Sequence, residues 1–332
     1  MGWNVIDDAL NALDKWFRGI VADGIIGSLQ NTCDTLNATF SGNNPNLIKG
    51  FLQDTPDKFT GTLDGTGTPI WNGIEKITNQ AIVPVAMFIL VVVLVYELIQ
   101  MVVSGNNFRD FDTGIFMKWT VKAVCGILLV SNVFYIATSI FAFGSDAVTK
   151  GLGSLFPASG KFLGDGASLN ADTLKIILTG DNFDRGSLVV LLILSFLIMI
   201  ITFVVLGAII IVLASRIIEV FMYLSIAPIP MATMMNRDWG EIGKSWLRNI
   251  LALAFQGFFI VVALTIFKVL LLNVINEMTA IAPASLPSGS AQNTVTAATI
   301  TGSMTMIFGY IVALIFTIFR SSNIAKSVFS AH

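Results

Sequence analysis

Five blocks of the sequence are each long and apolar enough to cross a bilayer, whose hydrocarbon core of about 30 Å takes about 20 helical residues. They lie at about 81–103, 119–143, 187–213, 249–275 and 299–319. Lipid offers no partner to a backbone N–H or C=O, so each block must satisfy its own backbone and is expected to be a helix. Only 12% of the 332 residues are charged and the mean hydropathy is +0.79, against about 25% charged in soluble domains. The expectation is an all-α, polytopic membrane protein with about five transmembrane helices.

The same residues exclude several kinds of chemistry. Nineteen Lys and Arg against 21 Asp and Glu leave a net charge of −2, with no basic cluster to line a nucleic-acid groove. The single histidine is His332, which removes His-based acid–base and Ser–His catalysis and any Cys/His metal spacing. Cys33 lies in a polar stretch and Cys125 in an apolar block, so no bridge between them is expected. No enzyme activity, cofactor or metal is predicted. The opening residues MGWNVIDDALNALDKWF lack a basic region followed by an apolar one, so no cleavable signal peptide is expected.

Hydropathy divides the chain into a comparatively polar region, 1–80, and a membrane domain, 81–332. Within the first, Ile6, Leu10, Leu13, Phe17 and Ile20 recur at four- and three-residue steps, with Asp7, Asn11, Asp14, Lys15 and Arg18 opposite. That pattern is an amphipathic helix. Its mixed polar face favours packing on the rest of the protein or a neighbouring copy over autonomous lipid binding, which prefers a basic face. The stretch 40–70 reads as turns and loop.

Basic residues set the orientation. Arg109 and Lys118 lie in 104–118, Arg237, Lys244 and Arg248 in 236–248, and Arg320 and Lys326 in the tail, whereas 277–298 has none. These segments are expected to be cytoplasmic and 277–298 outside, giving an N-terminus outside and a C-terminus inside. On this count 214–235 is a cytoplasmic-side extension or a re-entrant piece, not a sixth crossing.

That piece contains SIAPIPMATMM, in which Pro228 and Pro230 should break a helix by removing donors and clashing with the preceding turn. Past the break, Asp238 and Glu241 resemble a capping box for a helix starting at Trp239. Its first turns carry Lys244 and Arg248, with Trp239 and Trp246 as interfacial anchors. Arg237, Lys244 and Arg248 are candidates for cytoplasmic contacts. Polar groups inside spans are costly and are candidate functional residues. Glu97 and Lys122 fall at similar depth and can pair. Arg216 and Glu219 are three apart on one face and can pair with each other. Lys268 can snorkel toward the outer interface, and Gln256 is expected to link helices. No carboxylate sits at mid-span as a proton relay would need, and a single Pro-x-Pro break lacks the partner that inverted-repeat transporters show. A small-molecule or ion transporter is therefore the alternative reading.

Residues 216–271 resemble the central segment of TrbL-type subunits of conjugative type IV secretion systems. The likeness is carried by Ala227-Pro228-Ile229-Pro230-Met231-Ala232, by Gly243 with Trp246-Leu247-Arg248, and by Leu253-Ala254-Phe255-Gln256-Gly257. It is most similar to the branch found in mobile elements of Gram-positive bacteria. The resemblance implies an oligomeric channel or scaffold subunit of the bacterial cytoplasmic (inner) membrane that supports transfer of DNA and protein between cells. It implies other secretion subunits, including motor ATPases, as partners, along with membrane lipid and single-stranded DNA in transit. It carries no catalytic motif.

Overall fold

The computed structural model describes residues 2–40, 52, 55–58, 70–104, 113–155, 162–163, 171–180, 183–279 and 290–331. Most of the turn-rich stretch 40–70, together with Arg109 and His332, lies outside them. The described elements are helical: α1 (Gly2–Phe40), α2 (Ile70–Ile77), α3 (Val83–Ser104), α4 (Thr113–Ser131), α5 (Val133–Leu155), α6 (Ala171–Thr179), α7 (Arg185–Ser225), α8 (Pro228–Thr233), α9 (Gly240–Thr279) and α10 (Ser290–Val328). Among the described residues, five helical stretches have the length and apolarity to cross a membrane: Ile70–Val103, Thr113–Ser131, Arg185–Ser225, Gly240–Met278 and Ala297–Val328. The protein is a polytopic, all-α membrane protein.

Two boundaries differ from those expected. The block at 119–143 is two helices meeting at Asn132, whose side-chain Nδ2 donates to the Leu128 carbonyl at 2.9 Å. The Leu128 carbonyl is shared with the Asn132 N–H at 3.0 Å, and the Ile136 N–H bonds the Asn132 carbonyl at 3.0 Å, so the backbone ladder carries on through the junction. Residues 144–155 are helical and belong to α5, and α6 lies in the connection between the second and third apolar blocks.

The chain forms two compact units. One comprises Met1–Lys49, Leu152–Ile211 and Val261–Phe319; the other comprises Gly50–Gly151, Val212–Ile260 and Arg320–His332.

In the first unit, the second half of α1 buries Val21, Ala22, Ile25, Ile26, Leu29, Leu36 and Phe40, packing partly on α6. Phe40 stacks on Phe162 with centroids 4.7 Å apart. Burial, with Asp34 adding to it, pushes the Cys33 thiol up to about 11, which leaves it a poor nucleophile at neutral pH. The first half of α1 is held by charge. Asp14 accepts from Arg18 Nε at 2.8 Å and from Arg185 Nε at 2.7 Å, and Arg18 also donates to the carbonyls of Gly180 and Phe183. The expected packing of the amphipathic stripe on the rest of the chain is not found: Ile6, Leu10, Leu13 and Ile20 are more than half exposed. The buried face of the second half lies roughly 130° around the helix from that stripe, given 3.6 residues per turn.

The second unit is built around Leu90 and Leu94 of α3, Phe134 and Phe141 of α5, Phe221 and Leu224 of α7, and Trp246 and Leu253 of α9. Trp71 of α2 meets Phe134 edge-on, 5.2 Å between centroids. Between α2 and α3 the chain makes a wide turn, Thr78–Ile82, closed by the Val83 N–H on the Thr78 carbonyl. It lies just before Pro84, whose ring cannot accept an ordinary preceding turn. Backbones approach closely where the side chain is hydrogen. A Cβ on Gly144 would lie 2.4 Å from the Ala254 oxygen of α9, and one on Gly243 would lie 2.0 Å from Met234 Cγ and 2.5 Å from the Pro230 oxygen.

Two outcomes are expected. Gly243→Ala should destabilise the protein by about 1–3 kcal/mol through overpacking, whereas Gly309→Ala, with nothing within 4 Å of its Cβ, should change stability by less than about 0.5 kcal/mol. Unfolding in detergent micelles compares them, and equal effects would contradict the close α8–α9 approach. The second outcome concerns Asp14, whose carboxyl is held below its usual value first by the Arg18 hydrogen bond, and also by Arg185. A depressed carboxylate contributes stability above its unfolded pKa of about 3.9 and loses it as pH falls through the folded value. Protection of the α1 amides, corrected for intrinsic exchange, should be flat from neutral pH to about 5 and fall below about 4. Protection unchanged under acid would remove the clamp from the account.

Candidate functional site

The break at Pro228 and Pro230 interrupts a long apolar stretch in the second unit, and its surroundings define the site. α7 ends at Ser225, two residues turn, and the prolines occupy the first and third positions of α8. A helix needs no backbone donors in its first turn, so prolines fit there. Thus they open a short helix as well as closing a long one. Pro228, Pro230, Met231, Ala232 and Thr233 are all buried.

α8 packs on both α3 and α4. The Thr78 hydroxyl donates to the Ser225 carbonyl at 3.2 Å, closing the C-terminus of α7. At the other end of the segment, Glu97 of α3 receives Asn236 Nδ2 at 2.8 Å. Thr78 and Glu97 are separated by about 28 Å of helix at 1.5 Å per residue. Between them, a Cβ on Gly126 of α4 would lie 2.8 Å from both Leu90 of α3 and Met235. The segment 226–235 therefore lies alongside two spans.

Glu97 is the hub of the turn that follows. Its Oε1 carries the Lys122 ammonium, and its Oε2 accepts from Asn236 Nδ2 and, at 3.3 Å, from the Arg237 N–H. The carboxylate is 5% exposed and the ammonium 40% exposed. Asn236, buried at 3%, faces two ways. Its Nδ2 also reaches Gln100 Oε1 at 3.3 Å, while its Oδ1 accepts from the N–H groups of Asp238 at 2.8 Å and Trp239 at 3.1 Å. That is the cap of α9, so the cap is Asn236 and not Asp238. Asp238 instead takes Gln100 Nε2 at 2.6 Å. Glu241 does not fold back as in a capping box; it pairs with Arg248 at 3.0 Å and Lys244 at 3.6 Å.

The other expected polar residues have different partners. Arg216 is buried and donates to the carbonyls of Leu253 at 3.0 Å and Ala254 at 3.4 Å on α9, using the second lone pairs of helical carbonyls. Glu219, expected to pair with it, has a buried Oε2 with no hydrogen-bond partner among the described residues. Gln256 does not act as glue through its carbonyl, since Oε1 is likewise buried and unpartnered among them. Lys268 lies 5.9 Å above the Phe162 ring. Trp246 is no interfacial anchor: it is 4% exposed, and its Nε1 donates to the Tyr223 carbonyl at 3.0 Å. Trp239 is 41% exposed and stacks on Tyr96, with rings 5.4 Å apart and 7° from parallel.

Beside the hub opens a cleft of about 1260 Å³ whose walls include Glu97, Lys122, Arg237, Asp238 and Lys244, with Met234 and Met235 among its apolar lining. Mixed charge on a Met-bearing surface suits contact with a protein segment, because thioethers adapt to irregular partners. Among the described residues no group of three His, Cys, Asp or Glu side chains could hold a metal. Asn236, Gln100 and the Tyr96–Trp239 stack are the residues that reading the sequence missed. Asn at 236 was legible as a second cap candidate two residues before Asp238. The pairing with Glu97, 139 residues away, was not.

A family model described as TrbL/VirB6 plasmid conjugal transfer like protein matches residues 48–228, just over half of the 332 residues. No curated protein and no solved structure matches the chain. The matched region runs through α2 to α7 and ends at Pro228, so it shares only 216–228 with the segment 216–271 singled out in the sequence.

Asn236→Ala should cost about 2–4 kcal/mol, the sum of a lost cap and a lost hydrogen bond to a carboxylate. Asp238→Ala should cost under about 1 kcal/mol, since its contact is exposed. Unfolding followed by helical circular dichroism ranks the two. If Asp238→Ala proved the more damaging, the cap assignment would be reversed.

Proposed function

The chain belongs to the TrbL/VirB6 plasmid conjugal transfer like family, and from that premise we propose that it is a channel or scaffold subunit of a conjugative type IV secretion system. The coarser statement, a multi-pass membrane component of conjugal transfer, follows from the family and the five apolar helices. The finer one rests on the observation that the family match runs into the sheltered Pro-x-Pro break. The Glu97 hub and the mixed-charge cleft form one surface made of α3, α4, the turn that follows the buried break, and the start of α9. We place that surface toward the cytoplasm, with the N-terminus outside, on the basic residues 237, 244 and 248. The motor ATPases are its proposed partners, copies of the same chain assemble with it, and single-stranded DNA passes transiently. The role is non-enzymatic. The likeness of 216–271 to subunits from Gram-positive mobile elements supports assignment to that branch.

A transporter needs polar groups converging at mid-span. The Glu97 cluster is tied up in hydrogen bonds to a neighbouring turn, which favours a structural and docking role.

Deleting the gene should abolish conjugative transfer while leaving relaxase nicking at the origin intact, read by mating assays and by mapping the nick. Full transfer by the deletion strain would refute the proposal. In a complemented strain, Pro228→Ala with Pro230→Ala should lower transfer by at least about tenfold, the effect of a 1.4 kcal/mol loss in an assembly equilibrium, with the protein still present in the membrane fraction. Undiminished transfer by that variant would make the break incidental.

A further inference from the structure

The first half of α1 carries an apolar stripe that the chain leaves bare. Leu10, Leu13 and Trp16 are 58%, 62% and 64% exposed, an unusual amount of large apolar surface for one side of a short stretch of helix. The stripe is not isolated. Together with Phe17 and with Val189 of α7 it lines a groove of about 450 Å³, which also includes the Asp14–Arg185 ion pair. That volume lies within the range of about 300–1000 Å³ typical of ligand pockets.

Three observations say what covers this groove. One wall belongs to α7, a membrane-spanning helix. Its next exposed side chains, Val190 at 60% and Ile193 at 63%, are apolar groups on a span and so meet lipid. Secondly, the Asp14–Arg185 pair fixes the depth. Arg185 opens α7 just before its apolar run, and charged pairs sit at the headgroup level and not in hydrocarbon. Leu10, Leu13, Trp16 and Phe17 lie about a turn or less along α1 from Asp14, within about 6 Å. Thirdly, Trp16 is the residue type that gathers at the membrane–water interface. The polar side of this half-helix, Asp7, Asp8, Asp14, Lys15 and Arg18, is not basic, so attraction to anionic headgroups contributes little.

We propose that the groove between the first half of α1 and the start of α7 holds an acyl chain of a membrane phospholipid, and that this half of α1 is an interfacial helix. Occupancy follows apolar burial and does not require anionic lipid. The association is a property of the described chain and stands apart from its role in transfer.

The test uses the full-length chain with Cys33→Ala and Cys125→Ala, reconstituted in phosphatidylcholine vesicles with and without phosphatidylglycerol. Nitroxides are placed singly at Leu13→Cys, at Val190→Cys as the lipid-facing reference, and at Lys15→Cys on the polar face. Collision with oxygen should exceed collision with a water-soluble nickel chelate at 13 and 190, with the reverse at 15, and phosphatidylglycerol should not change the ordering. Brominated acyl chains should quench the wild-type tryptophan fluorescence more than that of Trp16→Phe. Nickel-dominated collision at 13 would overturn the proposal. So would a label at 13 shielded from both reagents and dipolar-broadened at full labelling, which would mean that a second copy covers the stripe. A requirement for phosphatidylglycerol would overturn the account of apolar burial. Leu13 is exposed, so its replacement leaves the fold to report.

Discussion

A carboxylate of 5% exposure on α3, Glu97, carries the burden of a chain that breaks its helix beside membrane-spanning neighbours. Backbone groups there have no water to turn to, and each unpaired one costs several kcal/mol. Glu97 accepts the Arg237 N–H directly and holds Asn236, which caps the next two N–H groups. Its own charge is met by Lys122. At the other end, the Thr78 hydroxyl donates to the Ser225 carbonyl that ends α7. Within the segment, the prolines bring no donors to be satisfied, and the Thr233 hydroxyl donates to the Pro230 carbonyl at 2.8 Å. An apolar core could not have housed this segment without those polar contacts.

The enclosure also explains where small residues fall. Gly126 lets α4 approach Met235, and Gly243 lets α9 begin against the Pro230 carbonyl. Gly144 on α5 and Gly257 on α9 make room around Ala254 and the Arg216 guanidinium. Arg216 is charged at all working pH, and its burial is tolerated because two helical carbonyls receive it. A backbone break, a buried arginine and a buried carboxylate in one unit leave little of it free to be repacked independently. That suits a part that must keep its shape while presenting a cleft to partners.

The α1 helix works by different means. It is attached by ions at Asp14, Arg18 and Arg185 and by apolar packing only from Val21 onward. The apolar stripe of its first half and the buried face of its second half point in different directions, a shift that one continuous helix conceals from any single periodicity. Spacing shows that a face is apolar and says nothing of what meets it.

Hydrophobic run length by itself determined the class: five helices in a membrane, because lipid allows the backbone no other solution that this composition could form. The alternation of Pro228 and Pro230 likewise marked a break from sequence, since the missing donors are a covalent fact. The similar depth of Glu97 and Lys122 was legible for the same reason, as the helical rise converts residue number into height. Only tertiary structure decided that Asn236 and not Asp238 caps α9, that Arg216 reaches the backbone of α9, that Trp246 is core, and that 226–235 lies beside α3. Each of those depends on which helix stands opposite, and local spacing carries no record of a partner more than a hundred residues away.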